Sequence, residues 1–294
     1  MRSARTCSVR LIVHLPVRLA AWIMIASFIG ASQITAQVPA HARASNALVN
    51  VAIGGVAGAL SATIHHRPVW TGLRRGAVGG LVIAAGKQLV DFRFQSAGFV
   101  GRELSGVGIS LVAAGGDSAV RYLLPLGPAT IVILPDRDVD WRLNVTEAIS
   151  TVGLMTSPNT RLDLSRSLQA GAPVYRDRRW HFGEASKVEL AGAEGLGTIR
   201  LAPDALGPSR RLRASVLAHE TIHVLQEDFA NDVIGLPIER GLLQQTQLGR
   251  RFARHLDVGL LVPALAQLIA PEIAYRHQPW EQEAYSLTGR KMPP

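Results

Sequence analysis

The sequence is short of cysteine, of aromatic residues and of acid. One cysteine, Cys7, among 294 residues excludes an internal disulfide and any cysteine-based metal site. Aromatic residues make up 5% of a chain that is 48% hydrophobic, so Ala, Val, Leu and Ile carry the apolar character, with 28 glycines between them. That composition suits close packing of small side chains or contact with lipid, and it excludes a disordered chain. Lys and Arg outnumber Asp and Glu by 31 to 22, a formal charge of +9. No basic platform interleaved with aromatics and no groove-reading motif accompanies that excess, so nucleic acid is not expected as a partner. A basic surface attracts anionic lipid instead, or is simply solvated.

The chain opens with Arg2, Arg5, Arg10 and Arg18 and no acid, followed by the uncharged run Leu19 to Ala31 and the small-x-small triplet Ala40-His41-Ala42. That order of parts predicts a signal peptide or signal anchor over 1–42, and export to the periplasm or cell envelope. A segment over 43–115 is apolar, glycine-rich and expected to be helical. Its first piece, Ser45 to Ile64, carries no formal charge and is broken by His65-His66-Arg67-Pro68; a second runs from Gly76 to Gly86. Gly54, Gly55 and Gly58, and then Gly76, Gly79 and Gly80, are spaced so that two helices can bring their backbones together. The pair reads either as a membrane hairpin or as a packed couple covering the rest of the protein. The second piece falls short of the roughly 20 residues of a span, which favours the packed couple.

Period-two alternation takes over from about Ala119 to Leu201, as in Ala129–Leu134, Trp141–Val145 and Arg161–Ser165, and predicts antiparallel strands. Gly195–Leu201 is expected to be the last strand. Helical periodicity then runs from about Ser209 to Phe229, with further helices over Leu243–His255 and Val258–Ala270 and a last one starting near Pro279. The expected fold is α+β: N-terminal glycine-rich helices, antiparallel strands, then a helical part, with 116–294 as one domain.

The chemistry concentrates in Val216-Leu-Ala-His219-Glu220-Thr-Ile-His223-Val-Leu-Gln226. Residues four apart on a helix share one face, so both imidazoles can reach one tetrahedral zinc at about 2.0–2.1 Å. Glu220 is turned away by about 100° and can reach a water at that metal without binding it. Val216, Leu217, Ala218, Ile222, Val224 and Leu225 make the helix apolar on nearly every side. Burying three titratable groups there costs several kcal/mol unless a metal or partners compensate.

His219-Glu220-Thr-Ile-His223 resembles the active-site helix of zincin metallopeptidases. Gln226 and Phe229 stand where a metzincin has glycine and its third histidine. Glu281-Gln-Glu283-Ala284-Tyr285 resembles the Glu-x-x-Ala helix of gluzincins, and with Gln226 the pattern is similar to that of small bacterial gluzincin domains. The resemblance covers about the last third of the chain. It implies a zincin-like catalytic part, a zinc cofactor held by His219, His223 and Glu281, Glu220 as the catalytic base, and a peptide or protein substrate. Glu283 remains an alternative third ligand, with motif register favouring Glu281. Tyr285 stands where the family commonly has an aspartate that orients a ligand histidine. Tyr275, His277 and Tyr285 are candidates to assist at the carbonyl oxygen, and the Gly197–Leu201 strand is expected to offer an edge to the substrate. The competing expectation is an envelope scaffold or anchoring protein with a structural or relict metal site.

Overall fold

The structure is a computed structural model. It describes residues 40–90, 97–114, 122–126, 129–133, 139–178, 192–195, 197–202, 210–235, 246–247, 256–257 and 278–288. The arginine-rich leader, all but two residues of the helix expected over Leu243–His255, the helix expected over Val258–Ala270, and Tyr275 and His277 lie outside those residues. The fold is α+β, with seven helices among the described residues.

Two long helices come first: α1 (Ala40–Ile64) and α2 (Val69–Val90), joined by an exposed turn in which His66 takes φ 52°. Glycine sets how closely they pack. A Cβ on Gly76 would overlap the carbonyl oxygen of Gly54, and one on Gly80 would overlap that of Asn50, so only hydrogen at those positions permits this approach. The opposite face of α2 meets α3 (Ala97–Ala113) in the same way, Gly79 against Gly108 and Gly86 against Gly101.

The outward face of α1 is apolar. Leu48, Val49, Val56, Leu60 and Ile64 are each at least half exposed, while Asn50 is buried. By length and composition, His41–Ile64 is the one helix among the described residues that is long and apolar enough to cross a membrane; buried core helices and signal sequences pass the same test.

Two four-stranded sheets follow. In one, β1 (Tyr122–Leu126), β2 (Ala129–Ile133) and β3 (Val139–Asn144) form an antiparallel meander, and β8 (Leu256–Asp257) adds parallel to β3. In the other the order is β4-β5-β7-β6, with β4 (Thr160–Leu162), β5 (Val174–Asp177), β6 (Gly192–Gly195) and β7 (Thr198–Leu201). β5 and β7 run parallel. The strands are therefore mixed where antiparallel pairing alone was expected.

Two helices also interrupt the region expected to hold only strands. In α4 (Val145–Thr156) the Asn144 side chain accepts the Glu147 amide at 3.0 Å, an N-cap that ends β3 and starts the helix. Asp163 caps α5 (Leu164–Ala170), and Gly171 closes it at φ 71°.

The long helix α6 (Arg210–Ala230) lies at the centre, and a π-helical turn, Asn231–Gly235, extends it. One side packs on the second sheet, where Val216, Leu217 and Val224 join Val174, Ile199 and Leu201. The other packs with α7 (Pro279–Thr288), where Ala218, Ile222 and Leu225 join Ala284, Leu287 and Val90. Ile222, Val224 and Leu225 have no exposed surface. Arg102 on α3 fixes the far end. Its Nε and Nη2 donate to both oxygens of Asp228 at 2.7 and 2.9 Å, and its Nη1 donates to the Gly171 carbonyl at 2.8 Å.

Candidate metal centre

Because α6 is clamped between the sheet and α7, the polar residues of its third turn have nowhere to go but inward. His219 and Glu220 are buried, as is Glu281 in the first turn of α7. His219 Nε2 and His223 Nε2 are 3.2 Å apart, with the rings edge to face at 85°. The Glu281 carboxylate straddles them, Oε2 3.3 Å from His219 Nε2 and Oε1 3.4 Å from His223 Nε2. The three side chains form a group that can hold a metal ion, brought together from helices far apart in sequence.

Each carboxylate oxygen lies near a different imidazole, and one ligand atom from each residue lies within 4.8 Å of the others, close enough for one ion to draw the three together. Four-coordinate zinc with donors at about 2.0–2.1 Å separates neighbouring donors by about 3.3 Å. The chemistry fits as well, since two imidazole nitrogens and a carboxylate are a usual zinc set. The cluster also draws in positive charge. Burial lowers the His223 pKa, but the Glu281 hydrogen bond, the charges of Glu220 and Glu281, and Gln226 together raise it above its ordinary value. The same field that favours a proton there favours a cation.

Gln226, one turn beyond His223, sets how that imidazole is presented. Its Nε2 donates to Glu283 Oε2 at 2.7 Å and to the Trp280 carbonyl at 3.1 Å, both of which can only accept. Its Oε1 therefore faces His223 Nδ1, at 2.8 Å, and must accept a proton from it. His223 thus carries a proton on Nδ1 and turns Nε2 toward His219 and Glu281.

Glu283, the alternative ligand, faces away from that cluster. Its Oε2 pairs with Lys87 Nζ at 2.7 Å and its Oε1 accepts from Asn50 Nδ2 at 2.7 Å. Tyr285 lies against His219 instead, ring centroids 4.5 Å apart and tilted by 60°. The His219 Nδ1 is buried with no hydrogen-bond partner among the described residues, so the tyrosine does not do there what an aspartate would.

One expectation is overturned. The Gly197–Leu201 segment is not an edge: β7 is flanked by β5 on one side and β6 on the other, so its backbone groups are already paired. The strand pattern marked it as a strand and held nothing about its neighbours. Lys87 and Asn50 were not anticipated near the site. Their only signal in the sequence was polarity within long apolar helices.

No family model matches the chain, and no curated protein or solved structure matches it.

Proposed function

We propose that this protein is a zinc-dependent peptide-bond hydrolase of the gluzincin kind, exported to the cell envelope and working against a lipid surface. The observation that carries the reading is the cluster of His219 Nε2, His223 Nε2 and the Glu281 carboxylate, in which each imidazole nitrogen lies within 3.4 Å of one carboxylate oxygen. Three protein donors among the described residues, rather than four, is the pattern of a catalytic zinc, which keeps a position for water or substrate.

Zinc bound there would supply a Lewis acid and acidify water toward neutral pH. The chain's residues do the rest. His219, His223 and Glu281 hold the ion, and Gln226 holds the His223 imidazole by its Nδ1–H. Glu220, buried beside His219 and turned from the ligand face, takes a proton from the attacking water and returns it to the leaving amine. Peptide as the substrate rests on the resemblance of the His-Glu-Thr-Ile-His and Glu-x-x-Ala stretches to gluzincins.

Glu220→Gln tests this role. The amide keeps the size and cannot accept a proton at neutral pH. Zinc content and melting temperature should stay as in the parent, while peptide turnover falls by about 10²–10⁴. Full turnover with normal zinc would remove Glu220 from the mechanism.

Support for the lipid surface comes from the inverted polarity of α1. Its asparagines point inward, Asn50 to Lys87 and Glu283 and Asn46 to Ser286, while its outward stripe is uncharged and aliphatic. Trp70, exposed just after the turn that follows Ile64, sits near one end of that stripe, as interfacial residues do. Replacing Val56 and Leu60 by Asn in the full chain should reduce flotation with phosphatidylglycerol vesicles. Equal flotation of parent and variant would count against that face.

A further inference from the structure

Behind the candidate metal ligands lies a second polar cluster, drawn from four helices and buried in its Lys87 and Asn50 part. Lys87 is buried near the end of α2, and its ammonium donates to Glu283 Oε2 at 2.7 Å and to Asn50 Oδ1 at 3.0 Å. Asn50, buried on α1, donates to Glu283 Oε1 at 2.7 Å and to the Asn46 carbonyl at 2.8 Å. Glu283 on α7 therefore has both oxygens occupied by donors from the glycine-rich helices, and its Oε2 also accepts from Gln226 on α6.

Nothing in packing alone requires this arrangement. An ion pair under apolar helices contributes little net stability, because losing the water around both charges offsets their attraction. What the cluster does fix is the rotation of one amide. An ionised Glu283 can only accept, so the Gln226 NH2 must face it, the Gln226 oxygen must face His223, and the His223 proton must sit on Nδ1. Geometry holds Glu283 as that acceptor: the Asn50 amide donates to its Oε1 and the Lys87 ammonium to its Oε2, each at 2.7 Å.

We propose that Lys87, Asn50 and Glu283 are positioning residues that act through Gln226 to hold the His223 ring proton on Nδ1, so that Nε2 is the nitrogen offered to a metal. The glycine-rich pair α1–α2 is thereby part of the metal centre rather than only its support. Gly80 belongs to the same device, since its close approach to the Asn50 carbonyl brings α1 against the turn of α2 that leads to Lys87. The inference rests on the metal reading of the His219, His223 and Glu281 cluster, yet the tautomer it asserts belongs to the protein without metal.

That separation makes it testable. The full chain, labelled with 15N in its histidines, free of metal and held at a pH alkaline enough for His223 to be neutral, should show His223 as the Nδ1–H tautomer in the ring-nitrogen spectrum. The double variant Lys87→Met with Glu283→Met removes both charges together, so no lone buried ion is left to unfold the protein. It should melt close to the parent, show a mixture of His223 tautomers, and bind zinc about 10–100-fold more weakly in competition with a chelator, the usual effect of losing such partners. A merely structural cluster predicts a lower melting temperature with the tautomer and zinc affinity unchanged, and that result would overturn the proposal. If the double variant does not fold, Gln226→Leu, which leaves Lys87, Asn50 and Glu283 in place, decides: it must lose the Nδ1–H tautomer, and keeping it would be equally fatal. A parent that shows the Nδ1–H tautomer but binds no zinc would sink the metal reading and leave the relay standing.

Discussion

The α1–α2 pair and the α6–α7 pair both turn polar side chains inward, and they do so by opposite means. In α1–α2 the backbones touch through glycine, the interior polar residues are few, and the surplus apolar surface faces outward. In α6–α7 branched aliphatic side chains keep the helices apart, the apolar surface is consumed by the sheet and by α7, and the space left between the helices holds titratable groups. Glycine packing leaves no room for a ligand between helices, whereas aliphatic packing around small gaps does. The two regions meet at Glu283, which belongs to α7 and is answered from α1 and α2.

The strongest way to break that comparison is through Arg102, which ties α3, lying against the glycine-rich helices, to the end of α6. Arg102→Ala removes a buried guanidinium, leaves the half-buried Asp228 without its bidentate partner, and should cost about 3–5 kcal/mol in urea unfolding. A loss near zero would show that the two regions do not depend on this clamp. Gly76→Ala acts within the α1–α2 pair alone. The added methyl meets the Gly54 carbonyl, and overpacking of this kind should cost about 1–3 kcal/mol. An unchanged melting temperature would mean the helices can part freely.

Of two carboxylates two residues apart on α7, Glu281→Ala should weaken zinc binding far more than Glu283→Ala, because only Glu281 faces both imidazoles. The reverse order in a chelator competition would exchange their roles.

The last effect concerns Glu103 on α3 and depends on pH. Burial pushes its pKa up to about 7; neighbouring Arg102 pulls it down and Asp228 pushes it up. The folded protein keeps that proton at pH values where the unfolded chain, near the ordinary 4.5, has released it. Stability therefore falls as pH rises from 4.5 through 7 and levels off above. Glu103→Gln should melt higher than the parent at pH 8 and no higher at pH 4. A gain of equal size at both would remove the titration from the explanation.

Much of this was legible in the sequence where the signal was local. The helix carrying His219 and His223 was readable because it is apolar on nearly every side, and Glu281 because its register with Ala284 sets it apart from Glu283. The glycine spacing announced a close helix pair, though not which carbonyls the glycines meet.

What was not legible depended on distant partners. Lys87 and Asn50 meet Glu283 across 196 and 233 residues, a separation no pattern along the chain encodes. α4 was taken for part of a strand-rich stretch because Val145, Thr146, Ile149, Thr151 and Val152 are β-branched. The Asn144 cap and the helix it starts outweighed that preference. β7 was expected at an edge because a strand's own residues do not report who pairs with it.

The central claim is that His219, His223 and Glu281 hold one zinc. X-ray absorption at the zinc edge on the purified full chain tests it most directly. The account predicts about one zinc per molecule, with two imidazole nitrogens and carboxylate oxygen at about 2.0–2.1 Å and no sulfur, and loss of that signal in His223→Ala. A protein that takes up no zinc, or whose zinc environment is unchanged in His223→Ala, would contradict it.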